Sequence, residues 1–187
     1  TNTDQLEVSL TAIADAAIDS ILTLARADMV RRYGEIDTKI CIFALGRLGI
    51  KQLTAGPDLD LMIIYDGIPD GFSNGQRALP AASYVLRLAQ TMVSWISTPT
   101  AEGTLYDVDL RLRPEGQASA IAISIDRLAT YFDQDAWIWE KQALTKARPV
   151  AGDTGLTKRI QQLVNRIVNQ NHPKDRLVQA VFDMRQR

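Results

Sequence analysis

Residues Leu105 to Arg113 alternate strictly. Leu105, Asp107, Asp109, Arg111 and Arg113 fall on one side of an extended chain, and Tyr106, Val108, Leu110 and Leu112 on the other. Four consecutive charged side chains opposite a wholly apolar face suit a strand with one face on a core and one face open. Such a strand needs pairing partners, and the chain supplies candidates. Lys39–Leu45 is a short apolar run rich in strand formers that ends at Gly46, Leu59–Tyr65 is a second, and Ala120–Ser124 is a third.

Helical patterns surround these strands. From Thr3 to Tyr33 no Gly or Pro interrupts the chain, and Leu6, Leu10, Ile13, Ala17, Ile21, Leu24 and Met29 recur at helical steps before Gly34 supplies a stop. Pro80 opens a second helix whose stripe is Tyr84, Leu88, Met92, Trp95 and Ile96, ending before Pro99. Arg47–Thr54 reads as a helical turn and Gly67–Gly75 as a surface loop. Ser124 and Asp126 cap a helix to about Asp133. Trp137, Glu140, Leu144 and Ala147 share a face of another that Arg148-Pro149 terminates, and Asp153 with Thr154 caps a third through about Asn169. Pro173 opens a last helix carrying Leu177, Val181 and Met184, which reaches Arg187 without a stop signal and reads as an element cut short. The expected organisation is an N-terminal helix over 1–34, a catalytic domain over 35–153 and the start of a helical C-terminal domain over 154–187. The fold class is α/β (α+β), a small mixed sheet flanked by helices.

With 21 basic against 22 acidic residues the net charge is -1, so the chain lacks the basic footprint of a nucleic-acid binder. The charge-free stretch Leu88–Ala101 is too short and too polar to span a bilayer, and no membrane segment is expected. The lone Cys41 excludes a disulfide framework and points to a reducing cytoplasm. Cys41 is expected to be buried filling, Trp137 and Trp139 to be packing residues, and His172, beside Pro173, to be solvated or capping.

Asp58 and Asp60 flank Leu59 at the start of a strand, so both carboxylates point one way. Hard oxygen donors at that spacing suit Mg²⁺, which commonly takes one or two carboxylates plus substrate phosphates. The preceding corner, Leu45-Gly46-Arg47-Leu48-Gly49, has the glycines and strand end of a phosphate cradle. A solvated turn cap at Asp58 and a solvated Asp60 explain the same residues. An exposed Asp–Arg ladder likewise competes with a metal site at Asp107, Asp109, Arg111 and Arg113, and spacing alone leaves both open.

These blocks resemble the nucleotidyltransferase fold of the glutamine synthetase (glutamate-ammonia-ligase) adenylyltransferases. That family runs Gly-Lys-Leu-Gly, Glu-Leu or Glu-Met, then Ser-Asp-x-Asp-Leu, against Gly46-Arg47-Leu48-Gly49, Gln52-Leu53 and Pro57-Asp58-Leu59-Asp60-Leu61 here. Tyr106–Pro114 and Ala136–Asp153 are similar to its second and third blocks. The resemblance implies two Mg²⁺ ions on Asp58, Asp60 and Asp109, with no role carried to Asp107. It places Gly46, Arg47, Arg111 and Arg113 near nucleotide, with Lys146 and Arg148 equally open to substrate contact or structural pairing and Glu140 foremost structural. Pro57 replaces the serine, Arg47 the lysine and Gln52 the glutamate.

The activity implied is transfer of AMP from ATP to a tyrosine of glutamine synthetase with release of pyrophosphate, in the regulation of nitrogen assimilation. A PII signalling protein is a further implied partner. The runs Asp135–Leu144 and Leu53-Thr54-Ala55 look more like the adenylylating, C-terminal half than the half that removes AMP with phosphate. Phosphorolysis of AMP-tyrosine to ADP is the alternative within the enzyme class, and a non-catalytic module binding glutamine synthetase or PII the alternative outside it.

Overall fold

The computed structural model describes residues 2–56, 58–67, 71–101, 103–110 and 121–170. Its centre is a five-stranded mixed sheet. β1 (Thr38–Ala44) pairs antiparallel with β2 (Leu59–Gly67) on one side and with the edge strand β7 (Arg148–Gly152) on the other. The far edge of β2 is shared by two short parallel strands, β5 (Val108–Asp109) and β6 (Ala122–Ser124). A separate two-stranded ribbon joins β3 (Pro99–Thr100) to β4 (Gly103–Thr104).

Period-two alternation gives this sheet two apolar faces. Ile40, Ile42 and Ala44 of β1 join Leu59, Leu61 and Ile63 of β2 in one cluster, covered by α1 (Asn2–Tyr33) and α3 (Ala81–Ser97). Cys41, Phe43, Met62 and Ile64 project the other way, under α4 (Ile125–Gln134) and α6 (Thr154–Val168). The result is a helix–sheet–helix sandwich, the mixed-sheet architecture expected of a nucleotidyltransferase-like chain. The caps are local and as read. Ser124 Oγ accepts from the Arg127 N–H, and Asp153 Oδ1 accepts from the Leu156 N–H at 2.7 Å.

Several expectations are corrected. The face of α1 on the sheet is Ala14, Ile18, Leu22, Ala25, Met29 and Tyr33, rather than the stripe through Leu6, Ile13 and Leu24, which are 57%, 57% and 59% exposed. α1 is apolar on more than one side, and the face bearing Ala14 and Ala25 lets the helix sit close to the sheet. By length and composition α1 is also apolar enough to cross a membrane, although its inner face is closed by the sheet. Trp95 is 42% exposed on α3, where Tyr84, Leu88, Met92 and Ile96 make the buried stripe.

Of the alternating run at 105–113, only Val108–Asp109 forms a ladder among the described residues, although Tyr106, Val108 and Leu110 do pack on the first cluster. The helix expected from Trp137 to Ala147 is α5 (Ile138–Ala143) followed by a tight turn at Leu144–Lys146. The expected stop at Arg148-Pro149 begins β7, which tolerates a proline because it is an edge strand with a register shift beside it. The loop after β2 is pinned at Asn74, whose Oδ1 accepts from the Glu35 N–H at 2.7 Å. His172 and the expected last helix lie outside the described residues.

Candidate active site

The parallel pairing of β2 with β5 sets Leu59 beside Val108 and Asp60 beside Asp109. The Leu59 N–H donates to the Asp107 carbonyl at 2.8 Å, which fixes that register. Leu59 and Val108 both pack on the first cluster, so Asp60 and Asp109 stand together on the opposite face, each partly buried. Like charges so placed on neighbouring strands destabilise the pair unless cations accompany them.

Opposite Asp60 lies α2 (Gly46–Gly49), a single turn entered directly from β1. Leu45 N–H donates to the Asp60 carbonyl at 2.9 Å, tying the corner to β2. Gly46 has φ +51°, and a Cβ built there would overlap the Asp60 carboxylate at Oδ2. Glycine is required twice over: for the left-handed backbone and for the space. At the other end of the turn a Cβ on Gly49 would overlap the Lys146 carbonyl, so α2 is wedged between the carboxylate and the Leu144–Lys146 turn.

Arg148 anchors this wedge. Its guanidinium makes a two-pronged contact with Asp15 of α1, at 2.9 Å on each oxygen, and donates to the carbonyls of Leu48 at 2.9 Å and Gly49 at 3.2 Å. Those carbonyls are the electron-rich end of α2, where a cation is favoured. No sequence motif includes Asp15. Nothing local marks it, because its partner is 133 positions away in sequence.

The remaining expected residues are spread around this centre. Asp58 is exposed immediately before β2, and Asp107 is exposed one step before the ladder. Arg47 is exposed, with its guanidinium donating to Thr54 Oγ1 at 3.0 Å, and Lys146 is exposed on the tight turn. Arg111, Arg113 and Pro57 lie outside the described residues. Glu140 accepts from Tyr131 Oη at 2.7 Å and from the Trp137 N–H at 2.8 Å, holding the start of α5 against α4. Trp137 and Trp139, expected as packing, are 57% and 37% exposed. Cys41 is fully buried, as expected. Its Sγ lies 3.0 Å from Thr157 Oγ1, and burial pushes its thiol pKa up.

Among the described residues no group of three Asp, Glu, His or Cys side chains stands ready to hold a metal ion. The Asp60–Asp109 pair still fits a hard divalent cation: two partly exposed oxygen donors abreast, with a glycine at the one position where a side chain would overlap Asp60. Mg²⁺ bound through one or two carboxylates completes its shell with water and substrate oxygens.

A family model described as glutamate-ammonia ligase adenylyltransferase matches residues 1–163. The bifunctional glutamine synthetase adenylyltransferase/adenylyl-removing enzyme of Brucella suis biovar 1 is 37% identical over 176 residues, 93% of this chain and 18% of its own length. The enzyme of that name from Mesorhizobium japonicum is 38% identical over 175 residues, covering 92% of this chain and 18% of its own. The one from Rhodopseudomonas palustris strain BisB5 is 37% identical over 190 residues, 98% of this chain and 19% of its own. The chain thus spans less than a fifth of the length of these relatives, yet nearly all of it aligns. It belongs to the glutamate-ammonia ligase adenylyltransferase family.

Proposed function

We propose that this chain is the catalytic nucleotidyltransferase unit of an adenylyltransferase that moves AMP from ATP to a tyrosine of glutamine synthetase. The observation that carries the reading is the parallel register of Asp60 with Asp109 beside Gly46. In the reaction the tyrosine oxygen attacks the α-phosphorus, the bond to the β-phosphate oxygen breaks, pyrophosphate leaves and the phenolic proton passes to solvent.

Asp60 and Asp109, with Asp58 as the further oxygen donor, would hold Mg²⁺, which when bound would supply Lewis-acid chemistry, easing ionisation of the attacking hydroxyl and offsetting charge at the α-phosphate. Gly46 keeps the corner against Asp60, and Arg47 and Lys146 offer exposed positive charge to the nucleotide, together with Arg111 and Arg113. Arg148 acts through α2 as a positioning residue, because its guanidinium is engaged by Asp15 and two carbonyls. The unit is assigned to the adenylylating half, on the run Asp135–Leu144, and to the cytoplasm, where the buried Cys41 stays reduced. PII acts on the full-length enzyme.

The test incubates the protein with unmodified glutamine synthetase, labelled ATP and Mg²⁺, and follows AMP on tyrosine. Transfer that disappears in Asp60→Asn supports the proposal. A second reading, phosphorolysis of AMP-tyrosine to ADP, is favoured by the names of the relatives, which carry both activities. It predicts ADP release from modified glutamine synthetase with inorganic phosphate and no AMP incorporation.

A further inference from the structure

The outer side of α1 is an apolar seam with nothing on it among the described residues. Leu6, Leu10, Ile13, Ala17, Ile21 and Leu24 follow one another at three- and four-residue steps over about 27 Å of helix. Leu6, Ile13 and Leu24 are each more than half exposed, while Leu10 and Ile21 pack by their inner edges on the first cluster and Ala17 is partly covered. Between Val8 and Ala27 the charged residues of α1 are Asp15, Asp19 and Arg26, which recur on a different side; Asp15 is held by Arg148. Small residues, Ser9, Ala16, Ser20 and Ala27, flank the seam and leave it shallow. α3, on the same sheet face, has no comparable second stripe.

A seam of this length and spacing, uncharged and edged by small side chains, is shaped for another helix packed ridge into groove. We infer that its occupant is an apolar-faced helix of the same protein, from polypeptide outside residues 1–187. The relatives supply the argument for that choice. Their aligned segments take in 92–98% of this chain but only 18–19% of their own length, so about four fifths of each relative is available to cover what this unit leaves open. This surface is independent of the catalytic reading, since it lies on α1 and contains none of the residues assigned to nucleotide or metal.

Cysteine labelling tests it. Cys41 is 0% accessible in the folded state and closed to reagent, so a parent protein that does not label reports that the fold is intact. Leu24→Cys places a thiol on the seam. Its maleimide labelling rate is measured in the 187-residue chain at low concentration and in the full-length polypeptide that carries these residues, with Cys41 unreactive in both. A rate at least tenfold lower in the full-length polypeptide is expected, with Ile13→Cys protected in parallel. Equal rates in the two contexts overturn the inference. Protection within the 187-residue chain that grows with its concentration overturns it in favour of a second copy. Protection that appears only on adding phospholipid vesicles overturns it in favour of a membrane surface.

Discussion

One edge of β2 is used in two ways. At its start Asp60 stands in register with Asp109 of β5; four residues on, Ile64 stands in register with Ile123 of β6, on the same face and in the same parallel geometry. Ile64 and Ile123 are 1% and 3% exposed under α4 and α6, whereas the two carboxylates remain partly open beside the single turn of α2. The ladder is the same at both places, and what differs is the cover. Full helices exclude water over the isoleucines, while only the single turn of α2, entered through Gly46, stands beside Asp60. A strand end just beyond the covering helices is therefore where rigid backbone and accessible charge coincide.

The largest effect expected is at the open end. Asp60→Asn keeps the shape and removes the charge, so AMP transfer should fall on the order of a thousandfold, equivalent to about 4 kcal/mol of activation free energy. Thermal stability should change by less than about 2 kcal/mol, because the amide keeps the volume of the carboxylate at a partly exposed position. Parallel kinetics and melting of one preparation check both halves. Large unfolding by this substitution would mean that the open end, like the closed one, serves stability.

At the closed end the signs reverse. Ile64→Ala leaves a cavity between β2 and the helices and should cost about 2–5 kcal/mol, read from the urea midpoint, while transfer per folded molecule stays near that of the parent. A smaller version of the same contrast lies at Ser124, which ends β6 and caps α4 by accepting from the Arg127 N–H at 3.3 Å. Ser124→Ala should cost about 0.5–1 kcal/mol, given the length and exposure of that bond, with no change in activity.

What the sequence revealed follows the same divide between local and distant causes. β1, β2 and β6 are legible because their apolar runs are bounded by glycine or capping residues. The caps at Ser124 and Asp153 are legible because a cap is decided within three residues. The phase of α1 is not, since two faces satisfy the helical period and only the sheet selects Ile18 over Ile13. β7 escapes because Pro149 argues against a strand unless an edge position is known. The Arg148–Asp15 pair escapes because no spacing rule spans from β7 to α1. Alternation over Leu105–Arg113 identifies which side chains share a face, which places Asp109 with Asp60 once the register is set. It does not say how many of those residues pair.

That last point makes Asp107 the finest probe of the site. It carries the same side chain as Asp109 and lies on the same face by parity, yet it precedes the ladder and is exposed. Its part in holding β5 to β2 is made by its backbone carbonyl, which accepts from the Leu59 N–H and survives any side-chain change. Asp107→Asn should therefore leave stability within about 0.5 kcal/mol, as an exposed substitution away from packing does. Transfer should change by less than about threefold, the size expected when a nearby but uncoordinated charge is lost in high dielectric. Measured beside Asp109→Asn in one transfer assay, a wide separation assigns the chemistry to the residue abreast of Asp60. Equal losses at both positions would instead show that the strand face works as a cluster of charge, with register carrying no special weight.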